Sequence, residues 1–442
     1  MNMKLRLIIM NFLQYAIWGA WLISLGAYLG DKGLNFSGGQ IGSFFATMGI
    51  ASLFMPALVG IVADRWIPAQ KVLGICHLIA ASFMFAAAFQ TTYETLYPLI
   101  LLSVMFYMPT IALSNSVAFN ALTQAGMDTV KDFPPIRVFG TIGFICAMWV
   151  IDLLQLGLTP NQMFISAGLG VVLGLYSFTM PNCPVNKNVE KKNWVDTLGL
   201  RAFALFKQKK MAIFFIFSMM LGMSLQVTNA FADGYIRSFG DNPIYQGTFG
   251  VEHSVMLISL SQISETLCIL LIPFFLRRYG IKKVMLISMF AWVLRFALLG
   301  AGNPGAGVWM FVLSMLVYGV AFDFFNISGS LFVEKETDES IRSSAQGVFM
   351  IMTNGFGAFI GSYAAGAIVE KFVPVGETLE TFTKLVNGKI VKYLTPESAE
   401  MLSTGWSTSW YIFAAYSLVV AITFALVFKY KHDPNAIGEI KH

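Results

Sequence analysis

The chain alternates long apolar stretches with short polar connections along almost its whole length. A hydrocarbon core of roughly 30 Å needs about 20 apolar helical residues, because a helix satisfies its own backbone hydrogen bonds in lipid. Stretches of suitable length predict twelve transmembrane helices, near residues 7–30, 40–63, 72–93, 95–122, 135–156, 162–180, 211–233, 253–276, 284–302, 306–333, 343–369 and 405–428.

The composition agrees with an integral membrane protein. Hydrophobic residues make up 56% of the 442 positions and charged residues 12%, which is about half the charged share of a soluble domain. A soluble globular protein is therefore excluded. The 40 Phe and 39 Gly residues suit lipid-facing surfaces and close helix packing.

The distribution of basic residues predicts the orientation of the chain, because cytoplasmic loops of membrane proteins hold the excess of Lys and Arg. With both termini in the cytoplasm, 21 of the 29 Lys and Arg residues lie in cytoplasmic segments and six in outer loops. We therefore predict a multi-pass membrane protein whose termini are both cytoplasmic.

The longest basic connection follows the sixth predicted helix and divides the chain into two halves. We predict an N-terminal six-helix half at 1–181, a cytoplasmic linker at 182–210 and a C-terminal half at 211–442. The basic linker suits contact with anionic lipid headgroups. A polar segment at about 373–404 is predicted as an extracytoplasmic insertion. The two-half layout is similar to that of major facilitator transporters.

Two short basic turns occupy equivalent places in the halves. The first contains Asp64 and Arg65 after the second helix, and the second covers 277–283 after the eighth. The first turn resembles the loop motif that locks the inner gate of major facilitator transporters, except that Ile67 replaces a glycine of the motif. Ordinary positive-inside turns would explain the basic residues equally well, but not Asp64. We predict gating roles for Asp64 and Arg65.

Two acidic residues fall near the centres of predicted helices, where a charge costs several kcal/mol. Glu265 shares a helix face with Ser261 and Gln262. This face suits either a polar solute or reversible protonation, and polar contacts that only hold helices together are the alternative. Asp323 follows Phe322 in an aromatic stretch, and a carboxyl group in such surroundings is a candidate proton carrier.

The seventh predicted helix carries the amides of Gln226 and Asn229 one turn apart. Both amides can donate and accept hydrogen bonds, so this face can recognise a solute but has no catalytic group. Asp233 precedes Arg237 by one turn, which favours a local ion pair. Arg295 in the ninth helix is expected to pair within the bundle.

The fifth predicted helix presents Arg137, Thr141 and Phe144 on one face, at i, i+4 and i+7. This face offers a cation, a hydroxyl group and an aromatic ring. Arg137 lies close to the helix end, so a position in water or a pair with Asp132 is equally open. Further polar candidates for the same cavity are Gln14, Trp18 and Asn115.

Motifs of enzymatic chemistry are missing from the sequence. It contains no P-loop, no H-E-x-x-H and no nucleophile elbow. We therefore predict no catalytic residues, no metal and no cofactor, and the protein is not expected to be an enzyme. The sequence has no nucleotide-binding domain that could power transport by ATP hydrolysis. We therefore predict a secondary transporter.

Three strings carry a closer resemblance: DFPPIRVFGTIGF at 132–144, SQISETL at 261–267 and AFDFFNISGS at 321–330. With neighbouring stretches, they closely resemble the bacterial nucleoside:proton symporters of the major facilitator superfamily over nearly the whole chain. This resemblance implies proton coupling through Asp323 or Glu265. It also implies a substrate site formed by Arg137, Thr141, Phe144, Gln226, Asn229, Gln262, Glu265, Tyr318, Phe322 and Asp323.

From these observations we predict an all-α integral membrane protein with the major facilitator fold in the bacterial inner membrane. It would import nucleosides by proton symport through alternating access and function as a monomer. Its expected partners are a nucleoside, protons and the lipid bilayer, with no nucleic acid. A proton-coupled symporter of a sugar or another small polar solute is the alternative within transport. A membrane receptor or scaffold that binds a solute without moving it is the alternative outside transport.

Overall fold

The computed structural model describes residues 2–185, 200–338, 341–386 and 389–430. Most of these residues are helical, and two strands form one small sheet. The helices are α1 Met3–Gly19, α2 Leu25–Leu29, α3 Gly38–Arg65, α4 Ala69–Ala87, α5 Tyr93–Gln124, α6 Thr129–Leu153, α7 Asn161–Ser177, α8 Lys209–Ser238, α9 Phe249–Glu252, α10 Ser254–Ala301, α11 Val308–Glu336, α12 Arg342–Met350, α13 Ala358–Phe372 and α14 Pro396–Val427.

Twelve membrane crossings can be traced through the described residues, as the hydropathy pattern predicts. Nine helical spans of the described chain have at least 18 residues and are apolar enough to cross a bilayer. α1 and α7 have 17 residues each, or about 25 Å at 1.5 Å per residue. α10 has 48 residues and supplies two crossings, because Gly280 interrupts its helical geometry.

Two crossings and one turn are less regular than the hydropathy pattern indicates. The first one bends between α1 and α2. In α10, Gly280 has a φ of 74°, a backbone conformation that glycine adopts without steric cost, and it reverses the chain within the predicted basic turn. The eleventh crossing joins α12 to α13 through a π-helical turn at Ile351–Gly357. Such turns are often found at functional sites.

A β-hairpin between α13 and α14 adds a feature that the all-helical prediction lacks. β1 Thr381–Val386 pairs antiparallel with β2 Lys389–Leu394. Tyr393 is buried, and its hydroxyl donates a hydrogen bond to Gln246 in the loop after α8. The last helix begins at Pro396 rather than near 405, so its first turns lie within the predicted insertion. Of the predicted linker, residues 186–199 lie outside the described chain, and Leu200–Lys207 forms a 3-10 helix.

The helices form two sets, α1–α7 and α8–α14, that meet through several helix pairs. These pairs are α3 with α13, α2 with α8, and α6 with α10, and α3 also contacts α8 and the π-helical turn at Ile351–Gly357. We call the end of the bundle that carries β1 and β2 the hairpin end, and the opposite end, where α1 begins and α14 ends, the terminal end.

The two sets are packed most tightly toward the hairpin end. A Cβ atom on Gly42 of α3 would lie 2.4 Å from the carbonyl oxygen of Ser362 in α13, whereas one on Gly60, near the terminal end of α3, would meet no atom within 4 Å. The same helix therefore packs closely against the other set at Gly42, whereas open space lies beside Gly60.

Replacing Gly42 by Leu is expected to separate the two sets at the hairpin end. The new side chain cannot fit against the backbone of Ser362, so α3 and α13 must move apart. Spin labels at Asp31 and Ile244, which are exposed on different sets, should then be farther apart. Double electron–electron resonance would measure this distance after the native cysteines are replaced.

Gly168→Leu in α7 is the matched control, because a Cβ at this position meets nothing within 4 Å. It should keep the native distance between the labels. An unchanged distance in Gly42→Leu would contradict the tight contact between α3 and α13.

Candidate functional site

The two intramembrane carboxylates come together between α10 and α11. Glu265 is half-buried and Asp323 is only 5% exposed, and the two groups interact electrostatically. One carboxylate oxygen of Asp323 is buried and has no hydrogen-bond partner among the described residues. Two like charges in a site with little water disfavour each other, so this pair is suited to hold a single proton.

An aromatic wall stands beside the carboxylates. The rings of Tyr318 and Phe322 are stacked 5.7 Å apart at an interplanar angle of 3°. Trp292 meets Tyr318 edge-on at 6.0 Å. Tyr318 also interacts electrostatically with both Glu265 and Asp323. The wall therefore combines a flat apolar face with hydroxyl and carboxylate groups at its edge.

The α1–α7 set contributes the only predicted cation of the site, Arg137. Its guanidinium lies 4.0 Å from the centre of the Tyr15 ring and interacts electrostatically with Glu265 of the other set. It does not pair with Asp132, which binds Lys4 at 2.7 Å. The structure thus brings Arg137 and Glu265 together from opposite sets.

Two further residues of the fifth crossing lie along the same helix as Arg137. Thr141 is half-buried, and its side chain makes no hydrogen bond within the described chain. Phe144 is buried and contacts Trp18 with ring centres 6.3 Å apart, edge to face. Trp18 in turn packs against Tyr107 at 5.9 Å, so an aromatic layer continues into the α1–α7 set.

A buried polar network supports this layer from behind. The Gln14 side chain donates to the hydroxyl of Thr110 at 2.8 Å and accepts from the His77 ring at 2.8 Å. The Tyr107 hydroxyl donates to the backbone oxygen of Gln14 at 2.6 Å. These bonds hold α1 against α4 and α5 and keep the aromatic rings of the site in place.

The predicted amide side chains lie on two helices, α8 and α10. Asn229 donates to the side-chain oxygen of Gln226 at 3.1 Å, which orients both groups on α8. Gln262 is half-buried on α10, one turn before Glu265. None of the three amides bonds to the carboxylate pair within the described residues. They are available to a solute instead.

Sequence reasoning missed Tyr15, which both Arg137 and Glu265 approach. A signal was present, because Asn11, Tyr15 and Trp18 recur at i, i+4 and i+7 on one face of α1.

The predicted gate residues lie at the terminal end of α3. Asp64 is exposed and Arg65 is half-buried, and neither forms an ion pair within the described residues. The lock suggested by the loop motif is therefore not formed in this conformation.

A charged cluster closes the hairpin end instead. Arg237 pairs with Asp233 through its Nε at 3.0 Å, as the sequence predicts, and its NH2 group lies 3.7 Å from Asp152 of the other set. His253 contacts Asp152 at 2.7 Å. Ser254 adds a hydrogen bond to Asp233. Asp152 is fully buried and is bound from the opposite set on two sides.

A protein family matches the sequence of almost the whole chain. The family model described as nucleoside H+ symporter matches residues 1–433. The chain belongs to this family.

Individual relatives agree. The chain is 50% identical to the nucleoside permease NupG of Escherichia coli K12 over 445 aligned residues, covering 100% of both proteins. It is 46% identical to the xanthosine permease of the same organism, over 100% of this chain and 99% of the permease.

Solved structures give the same result. A crystal structure of the nucleoside transporter NupG superimposes with a TM-score of 0.86 at 50% identity, over 98% of this chain and 100% of that one. A bacterial homolog of the lysosomal transporter Spinster, in an inward-facing conformation, has a TM-score of 0.68 at 12% identity and covers 96% of both chains. The second likeness concerns the fold alone.

The family settles several predictions made from the sequence. The chain has the major facilitator fold, is a multi-pass membrane protein, and imports nucleosides by proton symport. It is a permease and not an enzyme, because its family consists of transporters. Nucleoside and proton are its substrates.

The Asp152 cluster should stabilise the closed hairpin end. Removing one partner of a buried ion pair leaves the other charge uncompensated, so Asp152→Asn and Arg237→Gln should each lower the midpoint of thermal unfolding in detergent. The double variant should lose less stability than the sum of the two, with a coupling of about 1 kcal/mol or more.

Lys210 and Glu336 offer the comparison, because they form a 2.6 Å pair within one set with side chains 40% and 25% exposed. A double-mutant cycle on this pair should show weaker coupling. Equal coupling in the two cycles, or additive losses for Asp152 and Arg237, would rule out a stabilising role for the cross-set contact.

Proposed function

We propose that the nucleoside binds between the two helix sets, where the carboxylate pair of one set faces the cation of the other. This arrangement of Glu265, Asp323 and Arg137 is the observation that carries the proposal. The two halves would be 1–181 and 211–442, joined by a linker at 182–210. The residues that would contact the nucleoside are Arg137, Thr141, Phe144, Gln226, Asn229, Gln262, Glu265, Tyr318, Phe322 and Asp323.

Each part of a nucleoside has a suitable partner in this set. A base presents a flat face, which the Phe322 and Phe144 rings can cover. The base edge and the ribose hydroxyls both donate and accept hydrogen bonds, as do the amides of Gln226, Asn229 and Gln262. Because a nucleoside carries no net charge, it can enter an apolar bundle without an ionic partner of its own.

The coupled proton would be held by the pair Glu265 and Asp323. These carboxylates interact with each other, and Asp323 has a buried oxygen without a partner in the described chain. Each proton that moves down the membrane potential supplies roughly 2.3 kcal/mol per 100 mV. At about 1.4 kcal/mol per tenfold ratio, this supports accumulation of about fifty-fold.

The orientation follows from the excess of basic residues in alternate loops. The terminal end would be cytoplasmic, and the segment at about 373–404 would lie outside the cell membrane. The conformation described here would then be closed outward and open inward, since the tight contacts lie at the hairpin end. Asp64 and Arg65 would lock the inner gate in the opposite conformation. The protein would act as a monomer in the bacterial inner membrane.

Asp323→Asn and Glu265→Gln test the coupling role. Purified protein in liposomes with an inward proton gradient should concentrate radiolabelled uridine or adenosine, and an uncoupler should abolish the accumulation. The variant that lacks the coupling carboxylate should still exchange nucleoside but should not accumulate it, because the proton no longer changes the charge of the site.

The control is Glu336→Gln at the terminal end, outside the site, which should accumulate nucleoside like the native chain. If both site variants accumulate nucleoside at the native ratio, the carboxylate pair does not carry the proton. If the native chain takes up sugars but no nucleoside, the proposed substrate contacts are wrong.

Phe322→Leu tests the stacking face. Loss of an aromatic pair worth about 1 kcal/mol should raise the KM for nucleoside exchange roughly five- to tenfold. The accumulation ratio should stay native, because the carboxylates are unchanged. Phe290→Leu, at a ring 47% exposed on the α10 surface, is the matched control. An unchanged KM in Phe322→Leu would show that the Phe322 ring does not contact the nucleoside.

A further inference from the structure

Arg295 is a buried cation that the nucleoside site does not account for. It is 1% exposed in the second half of α10, and among the described residues it has no carboxylate within ion-pair distance. Its NH1 group donates to the backbone oxygen of Ser314 at 2.7 Å and to the hydroxyl of Ser261 at 3.3 Å. Its Nε is buried without an acceptor in the described chain.

A guanidinium in this position is costly. Removing a charged guanidinium from water costs several kcal/mol. Hydrogen bonds to uncharged acceptors such as Ser314 and Ser261 offset only part of this cost. Bundle packing alone would be served better by an apolar side chain of similar volume. A functional reason for the charge is therefore required.

The position of the guanidinium relative to the aromatic wall supplies such a reason. It lies 4.6 Å from the centre of the Tyr318 ring, which is stacked on Phe322. Tyr318 interacts electrostatically with Arg295 and also with Glu265 and Asp323. The tyrosine therefore interacts with both the buried cation and the carboxylate pair.

We propose that Arg295 is a positioning residue of the transport site, which holds the Tyr318 ring against Phe322 and, through this ring, favours the deprotonated form of the carboxylate pair. This inference rests on the proposed nucleoside and proton site. A cation over the ring attracts its electrons, so the hydroxyl becomes a better donor toward a negative carboxylate.

The other charged and titratable groups around the pair are few among the described residues. Arg137 and Tyr15 face Glu265 from the opposite set, and Cys268 faces Asp323 from α10. Arg295 is the further cation, and it acts on the pair through Tyr318.

Two substitutions separate the charge of Arg295 from its planar shape. Lys keeps the positive charge but cannot reproduce the planar fork that binds Ser314 and Ser261. Met keeps the approximate volume and removes the charge. The measurements are the KM of uridine exchange and the pH at which proton-driven uptake is half-maximal, both per amount of folded protein in liposomes.

Arg295→Met should raise the KM severalfold and move the half-maximal pH upward by about half a unit, because a cation–π contribution is lost and the pair gives up its proton less readily. Arg295→Lys should keep the half-maximal pH but raise the KM, since the ring is held less firmly. Ser288→Ala, a buried polar residue on the same helix that bonds to the backbone of Ala321, should leave both quantities native.

A purely structural role would give a different pattern. Both variants would then unfold at lower temperature, while the KM and the half-maximal pH of the folded protein stayed native. If Arg295→Met does not fold, a native KM in Arg295→Lys overturns the proposal on its own. Failure of the native chain to accumulate uridine would instead refute the proposed function, which keeps the two outcomes distinct.

Discussion

The cost of placing charge in an apolar bilayer constrains every polar cluster in this chain. The described intramembrane charges are grouped rather than scattered. Glu265 and Asp323 lie together between α10 and α11, Asp152 meets Arg237 where the two sets close, and Arg295 lies under Tyr318. Each of these charged residues interacts either with another charged group or with an aromatic ring beside the carboxylate pair. The apolar helices between them only fix their relative positions.

This constraint also explains why so much of the architecture could be predicted from the sequence. A crossing must be apolar over about 20 residues, so hydropathy alone locates it. The departures arise where that rule does not apply. Gly280 interrupts the helix within the basic turn between two apolar stretches, and the strands at 381–386 and 389–394 lie between the last two apolar stretches. The alternating Thr, Phe, Val and Tyr residues around Asn387-Gly388 are a hairpin signal that a search for apolar runs overlooks.

The candidate site was predictable to the extent that its members are unusual within a membrane helix. Asp323 and Glu265 stand out because acidic residues are rare there. Tyr15 does not, since tyrosine is common in such helices. The contact between His253 and Asp152 joins residues 101 positions apart, so no local spacing can reveal it. Long-range contacts between the two sets depend on the conformation that the transporter has adopted.

In the proposed site, the distribution of charge between the sets would link protonation to the relative movement of the two sets. Arg137 belongs to one set and the carboxylate pair to the other, so their attraction acts across the interface. A ligand shifts an equilibrium between two conformations only through its different interaction with each. In the proposed site, protonation of the pair would remove negative charge and weaken this attraction, whereas a nucleoside that contacts both sets would draw them together. In the proposed site, proton and nucleoside would thus act on the same interface. Arg295 contacts Tyr318 within one set, so its contact with the ring does not cross that interface.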